Sequence, residues 1–144
     1  VGRGVDPDAF DALRRDTPSN LTVARARPDF RACLAEAAVF VGQAGYNTVM
    51  DIVATRVRSV LVPFEHGRET EQRLRAEALA ARGAAILLPE AMLAPGPLAA
   101  AVETACARPR PDLCAIGRDG AARTVAWIEE LATGRALASG APRA

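Results

Sequence analysis

Lysine is absent from this 144-residue sequence, and all 18 basic side chains are arginine. That absence excludes Schiff-base chemistry, lysine general bases and the lysine of a phosphate-binding P-loop. A single histidine, His66, excludes histidine-rich metal centres and leaves any Ser-His-Asp arrangement only one imidazole to use. The three cysteines, Cys33, Cys106 and Cys114, lack metal-ligand spacing and are expected as reduced, mostly buried thiols. No excess of one charge exists, since the net charge is +1, which argues against a nucleic-acid-binding domain. No apolar run approaches the ~18 residues of a membrane span, and the first residues do not read as a signal peptide. The expected location is cytoplasmic, with or without peripheral membrane contact. Aromatics make up only 4% of the residues and alanine carries much of the apolar half, so thin packing and high helix content are expected.

What is present alternates between strand-length apolar runs and longer helical patterns. Asp6-Pro7, followed by Phe10 and Leu13, reads as an N-cap, a first-turn proline and a short apolar face. Thr17 to Asn20 ends that helix. Leu21 to Ala26 reads as a short strand, and Pro28-Asp29 opens a helix with Phe30, Cys33 and Leu34 on one side. Val39 to Gly42 has the continuous apolar character of a buried parallel strand. A helix over 46–55 follows, then the clearest strand, Ser59 to Phe64, and a helix from Glu69 to Arg82 stopped by Gly83. Ala84 to Leu88 is a further strand, and Pro95 to Ala107 and Asp119 to Leu131 are further helices. Such alternation predicts an α/β fold, a Rossmann-like parallel sheet flanked by helices. One domain is expected over 1–134, with a flexible, Ala/Gly/Ser/Pro-rich tail over 135–144.

Open parallel sheets bind ligands beyond the carboxyl ends of their strands, which directs attention to two loops. The first is GQAGYNT, Gly42 to Thr48. Its glycines permit close approach of a ligand, and the free N–H groups and positive dipole end of the next helix suit a diphosphate. Asn47 and Thr48 add donors there, and Asp51, about one turn further on, can accept hydrogen bonds from ribose hydroxyls. The plainer reading is a tight turn with an N-cap, and composition alone favours it. The second loop is PFEHGRETEQ, Pro63 to Gln72. It is solvated surface on the plain reading, or a sugar-binding loop using Glu71 and Gln72. His66 is a candidate proton carrier near neutral pH. Asp6-Pro7-Asp8 is spaced like a metal-holding acidic triplet, but the proline marks a helix start.

In order and spacing, residues 37–102 resemble glycosyltransferase family 28, whose members include the N-acetylglucosaminyltransferase of peptidoglycan synthesis and the galactolipid synthases. The features that carry the likeness are the strand VFVG, the turn GQAGYNT, Asp51 in the following helix, the strand ending in Pro-Phe and the Gln72-bearing helix. The likeness is greatest to bacterial predicted glycosyltransferases of unknown substrate. It implies the C-terminal, donor-binding half of a GT-B fold: two Rossmann-like domains with the active site between them. By position it implies Gly45, Asn47 and Thr48 at the diphosphate, Asp51 at the ribose, and Glu71 and Gln72 at the sugar hydroxyls. Ala26 and Arg27, within ARPDF, would border the nucleobase. The family usually has glutamate where Asp51 stands, and serine or arginine where Gln43 stands. The donor domain's first strands and glycine-rich loop would precede Val1 and lie at the sheet centre, leaving the VFVG edge open to self-association.

The function so implied is the donor side of a metal-independent, inverting transfer of a hexosyl group from a nucleotide diphosphate sugar, with UDP-sugar the family habit. No cofactor or metal is expected. The partners implied are the nucleotide-sugar, an acceptor-binding N-terminal domain or partner chain, and no nucleic acid. Two alternatives remain at this level: a separate non-catalytic donor-binding subunit, or a nucleotide-sugar epimerase or hydrolase of the same fold. The single histidine disfavours the second.

Overall fold

A computed structural model describes residues 4–67, 70–114, 116 and 120–133. The tail assigned to 135–144 lies outside the described residues. The chain divides into two compact units, Val1–Asp112 and Leu113–Ala144.

The first unit is built on three parallel strands in the order β1-β2-β3: β1 (Phe40–Gly42), β2 (Ser59–Leu61) and β3 (Ala85–Leu87). The register pairs Phe40 with Ser59 and Ser59 with Ala85, so the three carboxyl ends finish level. Helices α1 (Pro7–Arg15) and α2 (Phe30–Glu36) precede the sheet. Helix α3 (Tyr46–Thr55) connects β1 to β2, α4 (Glu71–Ala81) connects β2 to β3, and α5 (Pro95–Ala107) follows β3. Both the α/β class and the parallel sheet read from the apolar alternation are present.

The three strands bury different side chains on opposite faces because successive residues of a strand point opposite ways. Val60 and Leu88 pack with Ala101 and Ala105 of α5, and Val62, Ile86, Leu98 and Val102 close round them. Leu61, one residue from Val60, points to the other face and is fully buried; Ile52 and Val57 are fully buried too. Alanine supplies Ala44, Ala76, Ala84, Ala85, Ala101 and Ala105 to the core, each burying little side-chain area.

Local sequence explains where the helices stop and start. Gly83, at φ +67°, ends α4 in a Schellman motif: the Ala84 N–H donates to the Leu79 carbonyl at 2.9 Å and the Gly83 N–H to Ala80 at 2.9 Å. The Asp6 carboxylate caps α1, accepting from the Asp8 N–H at 2.9 Å and the Ala9 N–H at 3.2 Å, with Pro7 in the first turn. Asp6→Ala is therefore expected to lower stability by about 1 kcal/mol, read as a fall in the urea midpoint at constant m-value. An unchanged midpoint would mean that the cap contributes nothing to folding.

Two expectations need correction. Leu21 to Ala26 form no strand. The segment is irregular, with the Leu21 N–H donating to the Pro18 carbonyl at 3.0 Å and the Arg25 guanidinium lying 4.3 Å from the Phe10 ring centroid. A strand needs a ladder partner, and among the described residues none runs beside it; β1 likewise pairs only with β2. The cysteines are not buried either, since Cys33, Cys106 and Cys114 are all exposed. The two cysteine-bearing helices each bury a narrow stripe, Leu34 on α2 and Ala101 with Ala105 on α5, and Cys33 and Cys106 fall just beside it.

The second unit contains α6 (Gly120–Ala132), with Val125, Trp127, Ile128 and Leu131 exposed. Among the described residues no helix is long and apolar enough to cross a membrane.

Candidate functional site

Because the strands are parallel and level, the loops that follow them gather along one edge of the sheet. From β1, the turn Gln43-Ala44-Gly45 enters α3; from β2, residues 62–70 enter α4; from β3, Leu88 and Pro89 enter a short 3-10 helix, Glu90–Met92.

The start of α3 has free amide donors by construction. Gly45 is the N-cap, its carbonyl accepts from the Val49 N–H at 2.9 Å, and among the described residues no side-chain cap hydrogen bond closes the helix. The first N–H groups of a helix have no partner within it, so they carry the positive end of its dipole toward the loop. Gly45 has φ −59°, which any residue adopts, and a Cβ there would meet only Thr48 Oγ1, at 4.0 Å. The fold itself thus does not require glycine at this position. At Gly42 a Cβ would lie 2.4 Å from the tip of the Phe40 ring, so a side chain there would displace that ring, against which Phe30 packs edge-on at 6.2 Å.

Gln72 brings the two loops together. Its Oε1 accepts from the Ala44 N–H and the Phe64 N–H, each at 3.2 Å. His66 stacks on Phe64 with centroids 4.8 Å apart, and its Nδ1 stands 3.8 Å from the carboxylate of Glu90, which opens the 3-10 helix after β3. His66 is largely exposed. Glu71, at the first position of α4, is bound by Arg75 one turn on, and the Arg75 guanidinium lies 6.0 Å from the Tyr46 ring centroid at the first position of α3. Arg73 is held by Glu77 at 2.8 Å and Glu65 at 3.2 Å, and these bonds raise its pKa, that to Glu77 most.

Asn47 and Thr48 lie in the first turn of α3. Asp51 is half-buried on α3, with Arg31 of α2 at 3.9 Å. Ala26 and Arg27 are exposed, and Arg27 is held by Asp29 through paired bonds of 2.8 and 2.5 Å rather than by either loop. The hydrogen bond from Arg27 holds the Asp29 carboxyl below its usual range and raises the guanidinium. Sequence reasoning did not single out Tyr46, Arg75 or Glu90. The i, i+4 spacing of Glu71 and Arg75 is a readable signal. Glu90 has none, because it reaches His66 only through the β2–β3 pairing.

Residues 4–112 match the family model described as the glycosyltransferase family 28 C-terminal domain. The chain belongs to that family. It is 38% identical over 112 residues to the UDP-N-acetylglucosamine--N-acetylmuramyl-(pentapeptide) pyrophosphoryl-undecaprenol N-acetylglucosamine transferase of Aromatoleum aromaticum, covering 74% of this chain and 31% of that protein. The like-named protein of Ralstonia nicotianae is 34% identical over 93 residues, covering 65% of this chain and 26% of its own length. This family 28 domain thus spans 31% and 26% of those two relatives. Among solved structures, Acinetobacter baumannii MurG superposes with a TM-score of 0.63 over 85% of this chain and 38% of its own, at 24% identity. The glycotransferase of kitacinnamycin gives 0.59 over 94% and 30%, at 25% identity. The Rossmann-like GT-B class expected from the sequence is the fold that these neighbours share.

Proposed function

We propose that this family 28 domain binds the nucleotide diphosphate sugar of a metal-independent hexosyltransferase, with the acceptor held on a separate domain or chain. The observation that carries the reading is the uncapped start of α3 standing beside the Gln72-linked loop at the carboxyl edge of the sheet. UDP-sugar is the proposed donor, because the names of the Aromatoleum and Ralstonia relatives carry UDP-N-acetylglucosamine.

In this reading the diphosphate lies over Gly45, with the amides that open α3 and the Asn47 and Thr48 side chains donating to its oxygens. Asp51 accepts from the ribose hydroxyls, and Ala26 and Arg27 border the base. Glu71 and Gln72 face the sugar, and His66 lies beside it. During transfer an acceptor oxygen bonds to the anomeric carbon from the face opposite the diphosphate, the carbon–oxygen bond to the β-phosphate breaks, and the nucleoside diphosphate leaves with the electron pair. Charge therefore grows on the leaving oxygen, where fixed N–H donors stabilise the transition state without reorganising. The base that takes the acceptor's proton is assigned to no residue of this chain.

Asp51→Ala tests the ribose contact. The whole protein is expected to bind UDP more tightly than 2′-deoxy-UDP, and Asp51→Ala to weaken UDP binding about tenfold while treating the two nucleotides alike. Titration calorimetry reads both. UDP binding that is indifferent to Asp51→Ala would remove Asp51 from the site.

A further inference from the structure

We infer that Gln72 acts as a positioning residue, its carboxamide oxygen pinning the turn that opens α3 to the loop that opens α4. The inference rests on the donor-binding reading, and it assigns Gln72 a task that a sugar contact alone does not include.

Both partners of this oxygen are backbone N–H groups, Ala44 and Phe64, each at 3.2 Å. A carboxamide nitrogen has only hydrogens to offer and cannot face two donors, so the orientation of the amide follows from its neighbours. The two bonds span 28 and 8 residues of sequence, and one side chain thereby joins three segments. Along the β1–β2 pair, the Val62 N–H donates to the Gly42 carbonyl at 2.9 Å, and beyond that point the two strands hand over to their separate loops. Gln72 then supplies the next tie between them. Ala44 is fully buried, so its N–H has no ready exchange of this acceptor for water.

The consequence is geometric and chemical. The amides proposed to hold the diphosphate begin two residues after Ala44, while Glu71 and His66 flank Gln72 and Phe64. Fixing Ala44 to Phe64 fixes the phosphate end of the site against its sugar end, at the sub-ångström tolerance that catalytic positioning requires. With its oxygen used twice, Gln72 has only N–H donors for the cleft, so it addresses an acceptor atom of the ligand.

Two variants of the whole protein, Gln72→Ala and Gln72→Glu, separate positioning from contact. Amide hydrogen exchange at Ala44 and Phe64 reads the clamp without any ligand. In Gln72→Ala both amides are expected to exchange about tenfold faster. In Gln72→Glu, whose carboxylate oxygen still accepts both bonds, they are expected to stay slow. UDP, which has no sugar for Gln72 to touch, is expected to bind Gln72→Ala about tenfold more weakly than the parent. Unchanged exchange in Gln72→Ala, or fast exchange in Gln72→Glu, would overturn the clamp. Faster exchange with undiminished UDP binding would overturn its role in the site. A parent protein that fails to bind UDP would instead count against the donor-binding reading, and the exchange rates would still decide whether the clamp exists.

Discussion

Gly45→Asp is expected to weaken UDP binding about a hundredfold while leaving the fold as stable as before, or more so. The two effects have one cause. A carboxylate at the N-cap accepts from the first amides of the helix and favours the positive end of its dipole, and replacing glycine there adds a few tenths of a kcal/mol. Room for the side chain exists, since a Cβ at Gly45 meets only Thr48 Oγ1 at 4.0 Å and the backbone sits at φ −59°. The same carboxylate then occupies the donors that the diphosphate needs and repels its charge. If the turn is merely a turn, Gly45→Asp changes neither quantity for the worse. Thermal unfolding and UDP titration on the same sample therefore separate the two readings by the sign of each change. Equal UDP affinity in the variant would contradict the proposed phosphate site.

The largest effect on stability is expected from Leu61→Ala. Leu61 is fully buried on the middle strand, paired with Gly42 on one side and Leu87 on the other. Removing it leaves a cavity in a core whose other members include many alanines, which have little side chain to move into the gap. Leucine-to-alanine changes at such sites cost about 2–5 kcal/mol, a large share of the ~5–15 kcal/mol that holds a domain folded. Leu74, on α4 and 61% exposed, is the control, where the same change is expected to stay within about 0.5 kcal/mol. Urea unfolding monitored by circular dichroism gives both values. A Leu61→Ala loss below about 1 kcal/mol would mean that the sheet is not the structural centre of this unit.

Much of the architecture was readable because the deciding signals are local. The helix over 46–55 and the helix from Pro95 to Ala107 appear with those bounds, announced by an N-cap glycine in the first and a first-turn proline in the second, and by their apolar spacing. Gly83 stops α4 by adopting a positive φ, as a glycine after a strong helix former does. The strands are shorter than their apolar runs, with Ser59 to Phe64 reduced to Ser59–Leu61, partly because Pro63 has no N–H to give a ladder. Leu21 to Ala26 shows the limit of such reading, since strand-like composition forms no strand without a neighbour.

The site divides in the same way. Gly45 opening a helix, and the carboxylate of Asp51 nearly two turns later, are sequence features, and the parallel sheet brings both loops to one edge. The engagement of Gln72 with Ala44 and Phe64, and of His66 with Glu90, arises only once β1, β2 and β3 lie in register. Arg27, proposed beside the base, has its guanidinium committed to Asp29 two residues away, a pairing that sequence spacing permits but does not dictate.

The central claim concerns the amides that open α3, and a crystal structure of the whole protein with UDP bound addresses it most directly. The account predicts phosphate oxygens within about 3 Å of the backbone N–H groups of the first turn after Gly45, with the ribose hydroxyls turned toward Asp51. A diphosphate bound away from that turn, with its amides facing solvent, would contradict it.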